Sequence, residues 1–206
     1  NKMPSILITG SNRGIGLELV RQYLAQGWQV YATARHPKTA TELQQLAQNN
    51  PEQLNISQFD VTNAEQRHAL MTKLKGIPLD VLINNAGVYG QNNASFGNTD
   101  EDKWLETLRI NTIAPMKIME AFAENITLGE KKVIASISSK MGSMDDNSSG
   151  GSYVYRSSKA ALNAVMVSAA RDLKSAGITT VILHPGWVRT DMGGSSGEIT
   201  AQQSVE

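Results

Sequence analysis

Ser5-Ile6-Leu7-Ile8-Thr9-Gly10-Ser11-Asn12-Arg13-Gly14-Ile15-Gly16 begins as an apolar run, breaks at glycine and passes into a helical pattern. The apolar run predicts a strand over Ser5–Thr9, and the periodic residues after it predict a helix over Gly14–Gln26. Glycine at Gly10, Gly14 and Gly16 permits a tight turn and lets backbone N–H groups and a helix N-terminus approach a pyrophosphate. A glycine triplet alone could be an ordinary turn. Its position between a strand and an amphipathic helix turns it into a nucleotide-binding signal. The Gly-x-x-x-Gly-x-Gly spacing separates it from the Gly-x-Gly-x-x-Gly of many dinucleotide enzymes.

Outward from this turn, short apolar runs alternate with longer helical patterns. Strands are expected at Ser5–Thr9, Gln29–Ala34, Leu54–Phe59, Val81–Asn84, Lys132–Ser138 and Thr179–His184. Helices are expected at Gly14–Gln26, Thr41–Gln48, Ala64–Lys75, Asp102–Asn125 and Tyr153–Ala176. Such alternation predicts the α/β class: a single Rossmann-type, doubly wound parallel sheet with helices on both faces. No repeat or linker divides residues 1–206, which read as one dinucleotide-binding catalytic domain. Two Gly/Ser/Asn-rich stretches, Asp145–Ser152 and Gly193–Gly197, read as loops beside a site.

Composition narrows the function. The chain has 206 residues, 40% of them hydrophobic and 18% charged, as in an ordinary globular domain able to bury roughly 70% of its unfolded surface. Its 19 basic and 19 acidic residues cancel, so nucleic acid and anionic membranes are not expected partners. Without cysteine there is no disulfide, thiolate metal site or cysteine nucleophile, and three scattered histidines offer no metal-ligand spacing. No apolar run reaches the ~20 residues of a membrane span. No secretory signal opens the sequence, so a cytoplasmic location is expected and four Asn-x-Ser/Thr sequons carry no weight.

The second strand bears on cofactor choice. An NAD site places an acidic residue about 20 residues on, bonded to the adenosine 2′-hydroxyl. Between Glu18 and Glu42 this chain has none. It has Arg35 just after the strand and Arg13 within the glycine turn, two guanidiniums that suit a 2′-phosphate. NADP(H) is therefore favoured over NAD. Asn12 and Ile15 fill the rest of the turn. Asp60, followed by Val61, is positioned to accept a hydrogen bond from an adenine amino group. Asn84-Asn85-Ala86-Gly87 places small residues where backbone must pass close to a ribose. All of these lie at strand carboxyl ends, where open parallel sheets bind ligands.

Tyr155-Arg156-Ser157-Ser158-Lys159 carries the chemistry. A tyrosine and a lysine four apart share one helical face. A free phenol titrates near pH ~10, and an adjacent cation stabilises phenolate so that the phenol can exchange protons nearer neutrality. Alone, the pair could be a surface i,i+4 neighbour pair; the glycine turn and the alternating strands decide otherwise.

Together these residues resemble the short-chain dehydrogenase/reductase family, and the resemblance covers nearly the whole chain. The family's Thr-Gly-x-x-x-Gly-x-Gly turn matches Thr9 to Gly16, and its Asn-Asn-Ala-Gly matches Asn84 to Gly87. Its active-site asparagine falls on Asn111 and its serine on Ser139, identified over Ser138 by Gly142 three residues on. Tyr155 with Lys159, then Pro185-Gly186 with Thr190, complete the order. Length and the His184–Met192 stretch resemble the C-factor-like carbonyl reductase branch. The resemblance implies that Tyr155 is the general acid/base, and that Lys159 tunes it and holds the nicotinamide ribose. It also implies that Ser139 bonds the substrate oxygen and that Asn111 anchors a proton-relay water. Val188 and Thr190 would hold the carboxamide, beside Pro185 and Gly186.

It implies further a carbonyl or alcohol substrate and a homodimer paired through the helices at Asp102–Asn125 and Tyr153–Ala176. Two features depart from the family. The interval from Ser139 to Tyr155 is lengthened by the polar insert at Asp145–Gly151. The sequence stops at Glu206, where family members continue through another helix and strand, so a missing edge strand is one expectation and a lost tail the other. A nucleotide-bound regulator with little catalysis is the alternative function, opposed by the four catalytic positions. A serine hydrolase fails, because Gly193-Gly194-Ser195-Ser196-Gly197 lies in a loop with no histidine after it. Met141, Met144, Tyr89, Trp187 and Met192 suggest an apolar substrate pocket.

Overall fold

The structure, a computed structural model, describes residues 3–137 and 147–185. Six strands, β1 (Ser5–Ile8), β2 (Gln29–Ala34), β3 (Leu54–Gln58), β4 (Val81–Asn84), β5 (Val133–Ile137) and β6 (Thr179–Leu183), form one sheet. Their order is β3-β2-β1-β4-β5-β6, and every pairing is parallel. The order reverses between β1 and β4, which opens a crevice at their carboxyl ends.

Side-chain alternation explains why both faces are covered. Ile6, Ile8, Val81, Ile83, Val133 and Ala135 face one apolar layer with helix α1 (Gly14–Ala25) and α2 (Thr41–Asn49). Leu7, Leu82 and Ile134, the residues between them, face the other layer with α3 (Ala64–Lys73), α5 (Ala114–Leu128) and α6 (Tyr153–Asp172). With β1 and β4 buried on both faces, they carry unbroken apolar runs, Ile6–Ile8 and Val81–Ile83. Each fully buried Leu or Ile contributes roughly 1.5–3 kcal/mol by leaving water.

At the amino ends of the central strands, buried Asp80 acts as a pin. One carboxylate oxygen accepts the Ser5 N–H at 2.9 Å; the other accepts those of Glu130 and Lys131 at 2.9 and 3.1 Å. The carboxyl ends are thereby left for ligands.

The expected helix over Asp102–Asn125 is not one helix. It consists of α4 (Glu101–Leu108), a π turn at Arg109–Ile113 and α5. The cause is local. Pro115 has no N–H, so it cannot donate to the carbonyl four residues earlier, which belongs to Asn111. The chain widens instead, and Ala114 N–H reaches the Arg109 carbonyl. Helix α6 ends at Asp172, and a 3₁₀ turn at Lys174–Ala176 completes the stretch expected to be helical. Nothing beyond Pro185 is described, so the expectation of a missing edge strand lies outside the described residues.

Candidate active site

The glycine turn forms one wall of a cleft of about 460 Å³ at the carboxyl ends of β1, β2, β3 and β4. Gly10, Asn12, Arg13, Gly14, Ile15, Arg35, Asp60, Val61, Asn85, Ala86 and Gly87 all line it. The sequence had placed each of them at a cofactor. Gly16 does not line it. A side chain there would overlap the Gly10 carbonyl and come within 2.6 Å of Asn85 Nδ2, so this glycine serves the close packing of α1 beneath the turn. Gly10 has φ +62°, and a Cβ on it would stand 2.9 Å from Ala86 Cα.

Threonine and asparagine fasten the turn to β4. Thr9 Oγ1 accepts the N–H groups of Asn85 (3.1 Å) and Ala86 (3.3 Å), and Asn85 Nδ2 donates to the Gly10 carbonyl at 2.9 Å. Among the described α-helices only α3 and α4 carry a side-chain cap. Asn63 caps α3 by accepting Gln66 N–H, and Asp100 caps α4 by accepting Lys103 N–H, each at 3.0 Å. No side chain caps α1, where Arg13 stands at the cap position and the first turn holds no acidic residue. Its free N–H groups and positive dipole end suit an anion.

The remaining cleft contacts follow the same logic. Arg13 and Arg35 are exposed, and among the described residues neither has an ion-pair partner. Asp60 holds Thr62 through one oxygen, Oδ1, which accepts the Thr62 N–H at 3.1 Å and hydroxyl at 3.0 Å. Among the described residues no donor meets its Oδ2. Sequence reasoning missed His36, Thr39, Ala40, Phe59, Val88, Glu106 and Ile110, which also line the cleft. His36, Phe59 and Val88 could have been found from their places beside Arg35, Asp60 and Gly87; the others arrive only through folding.

Past Gly87 stands the catalytic candidate pair on α6. Lys159 is 7% exposed, and its ammonium makes a long hydrogen bond of 3.4 Å to the Ile137 carbonyl. Desolvation lowers its pKa from 10.5 to about 8. The ammonium sits 5.9 Å from the centre of the Tyr155 ring, so the two side chains do share one face as the spacing required. Glycine at position 87 leaves this space open. A Cβ there would sit 3.5 Å from Lys159 Nζ and 3.3 Å from Asn111 Oδ1.

Asn111, 1% exposed, lies in the π turn. Its Oδ1 accepts Val88 N–H at 2.9 Å, while its Nδ2 donates to the Val88 carbonyl at 2.7 Å and to Ser158 Oγ at 3.1 Å. The structure thus brings Asn111, Tyr155 and Lys159 together at the end of the cleft. Pro185 follows β6 at the same sheet edge, partly buried. Ser139, Gly186, Val188 and Thr190 lie outside the described residues, as do Met141, Met144, Trp187 and Met192. Among the described residues no group of acidic or histidine side chains could hold a metal, and no helix is long and apolar enough to cross a membrane.

Comparison with known proteins agrees with this geometry. The chain is 44% identical over 128 residues to C-signal of Myxococcus xanthus, covering 62% of this chain and 76% of that protein. It superposes with a TM-score of 0.83 and 35% identity on a short-chain dehydrogenase/reductase from Burkholderia multivorans with bound NADP, over 99% of this chain and 88% of the other. Carbonyl reductase Sniffer of D. melanogaster matches with a TM-score of 0.85 and 34% identity, over 98% and 95%. Residues 4–200 match the family model described as short chain dehydrogenase, and the chain is an oxidoreductase of the short-chain dehydrogenase family.

Proposed function

We propose that the chain, residues 1–206 taken as one catalytic domain, is an NADP(H)-dependent carbonyl reductase or alcohol dehydrogenase acting on a small molecule. The observation that carries this reading is the buried Lys159 beside Tyr155 at the end of a glycine-walled cleft whose far side presents Arg13 and Arg35. The cleft fits the cofactor. The uncapped N-terminus of α1 suits the pyrophosphate, the two exposed arginines suit a 2′-phosphate, and Asp60 Oδ2 suits the adenine amino group. When bound, the nicotinamide supplies or accepts the hydride.

Tyr155 donates the proton to the nascent alkoxide in reduction and removes it in oxidation. Lys159 stabilises the phenolate left behind and holds ribose hydroxyls. Ser139 contributes a hydrogen bond to the substrate oxygen, where charge develops. Asn111 serves the proton path through its main-chain carbonyl, because its side chain is committed to Val88 and Ser158. Val188 and Thr190, after Pro185 and Gly186, hold the carboxamide. The NADP preference favours the reductive direction. The helices α4, α5 and α6 pair across a two-fold axis in a homodimer.

Likeness to C-signal favours a second reading, a nucleotide-bound regulator. The assembled Asn111, Tyr155 and Lys159 argue for catalysis instead, since binding alone could use the lysine but requires no phenol beside it. NADPH oxidation with a panel of aldehydes, ketones and quinones separates the two. Turnover supports the enzyme, and tight NADPH binding without any turnover supports the regulator.

A further inference from the structure

Tyr89 stacks on Tyr155. The two rings lie 4.8 Å apart, 20° from parallel, and the Tyr89 hydroxyl is 3.0 Å from Ser152 Oγ. Ser152 precedes α6 in a left-handed conformation, φ 50° and ψ 41°, rarely adopted by a residue with a side chain. Tyr89 therefore touches both ends of the helical turn that carries the phenol.

The neighbours of Tyr89 are held just as closely. Val88 is gripped through both its N–H and its carbonyl by the Asn111 side chain. At Gly90 any side chain would overlap Thr107 Oγ1 and come within 3.0 Å of Val154 Cγ1, so only glycine lets the segment settle between α4 and α6. Residues 88–90 thus clamp the π turn to the first turn of α6, and Tyr89 is the part of the clamp in contact with Tyr155.

We propose that Tyr89 is a positioning residue for the proton transfer: its ring fixes the plane of Tyr155, and its hydroxyl holds Ser152. The inference rests on the catalytic role proposed above for Tyr155. Stacked aromatic pairs at this separation attract one another in an offset arrangement, and small displacements of a reacting group are expensive in rate. A merely structural tyrosine would affect folding without a selective effect on turnover.

The test compares Tyr89→Leu, Tyr89→Phe and the double variant Tyr89→Leu/Tyr155→Phe, using kcat, KM, NADPH affinity and melting temperature. Tyr89→Leu should lower kcat about 10- to 100-fold with NADPH affinity and melting temperature held. In the Tyr155→Phe background it should cost nothing more, because its effect passes through that phenol. Tyr89→Phe keeps the ring, so kcat should stay within about threefold of wild type. Wild-type kcat in Tyr89→Leu would overturn the proposal. So would a raised KM with kcat kept, which would make Tyr89 a substrate contact, or a Phe variant as impaired as the Leu one. If the wild type turns over no carbonyl, the catalytic reading fails, and NMR of ring-labelled tyrosine then decides positioning. Faster ring flips of Tyr155 in Tyr89→Leu would support it, and an unchanged Tyr155 signal would overturn it.

Discussion

Pro115 stands four residues after Asn111, so the carbonyl that an α-helix would pair with residue 115 meets a ring nitrogen with no hydrogen. The π turn at Arg109–Ile113 is the result, and it lies against Val88 and Ser158 beside Lys159. One proline thus links helix geometry to the site.

Pro115→Ala restores the missing donor and lets the α-helix close over the Asn111 carbonyl. Turnover should fall about tenfold, less than the ~10²–10⁴-fold of a whole general acid/base contribution because Tyr155 and Lys159 stay in place, while NADPH affinity holds. Steady-state kinetics with cofactor-fluorescence titration reads both. An unchanged kcat would remove the carbonyl from the proton path.

Arg13 and Arg35 should set cofactor preference. Charge-assisted contacts are worth ~1.5–3 kcal/mol each, so each arginine should contribute about 10- to 100-fold to the NADPH-over-NADH ratio. Replacing both with alanine should erase most of the gap. Equal affinity of the intact protein for the two cofactors would contradict the assignment.

Lys159 should cost the unliganded protein stability. Its pKa is about 8 in the folded state against 10.5 unfolded, so below pH 8 both states are protonated and the full penalty of burying the ammonium is present. As pH rises from about 8 toward 10.5, the folded state loses its proton first, the unfolded state binds more, and stability rises. Lys159→Met should therefore stabilise the cofactor-free protein at pH 7 by up to about 3 kcal/mol while abolishing turnover. The gain should vanish near pH 10.5, as calorimetry across pH would read. A variant destabilised equally at every pH would contradict this.

Leu105, Ile113 and Met116, on α4, the π turn and α5, are exposed apolar side chains, as a pairing surface requires. Light scattering at micromolar concentration should give a homodimer, and Ile113→Glu should shift it toward monomer. A monomeric wild type would contradict the proposed assembly.

The strands were legible because a doubly covered parallel sheet demands short continuous apolar runs, and Ile6–Ile8 and Val81–Ile83 are such runs. Much of the cleft lining was legible because the glycine turn and Arg35 announce themselves by type and spacing. The break between α4 and α5 was not, since the helical pattern runs on past Asn111 and only Pro115 marks the interruption. Gly16 shows another limit: spacing alone does not separate a glycine that lines the cleft from one that packs beneath the turn. The Tyr89–Tyr155 stack joins residues 66 positions apart, and no local pattern encodes such a meeting.

Tyr155→Phe tests the central claim most directly. It keeps the ring, its stack on Tyr89 and its place beside Lys159, and removes only the proton that must reach the nascent alkoxide. With a good carbonyl substrate, kcat should fall by at least ~10²–10⁴-fold, the span of general acid/base catalysis, with NADPH affinity little changed. Near-normal turnover in Tyr155→Phe would contradict the account.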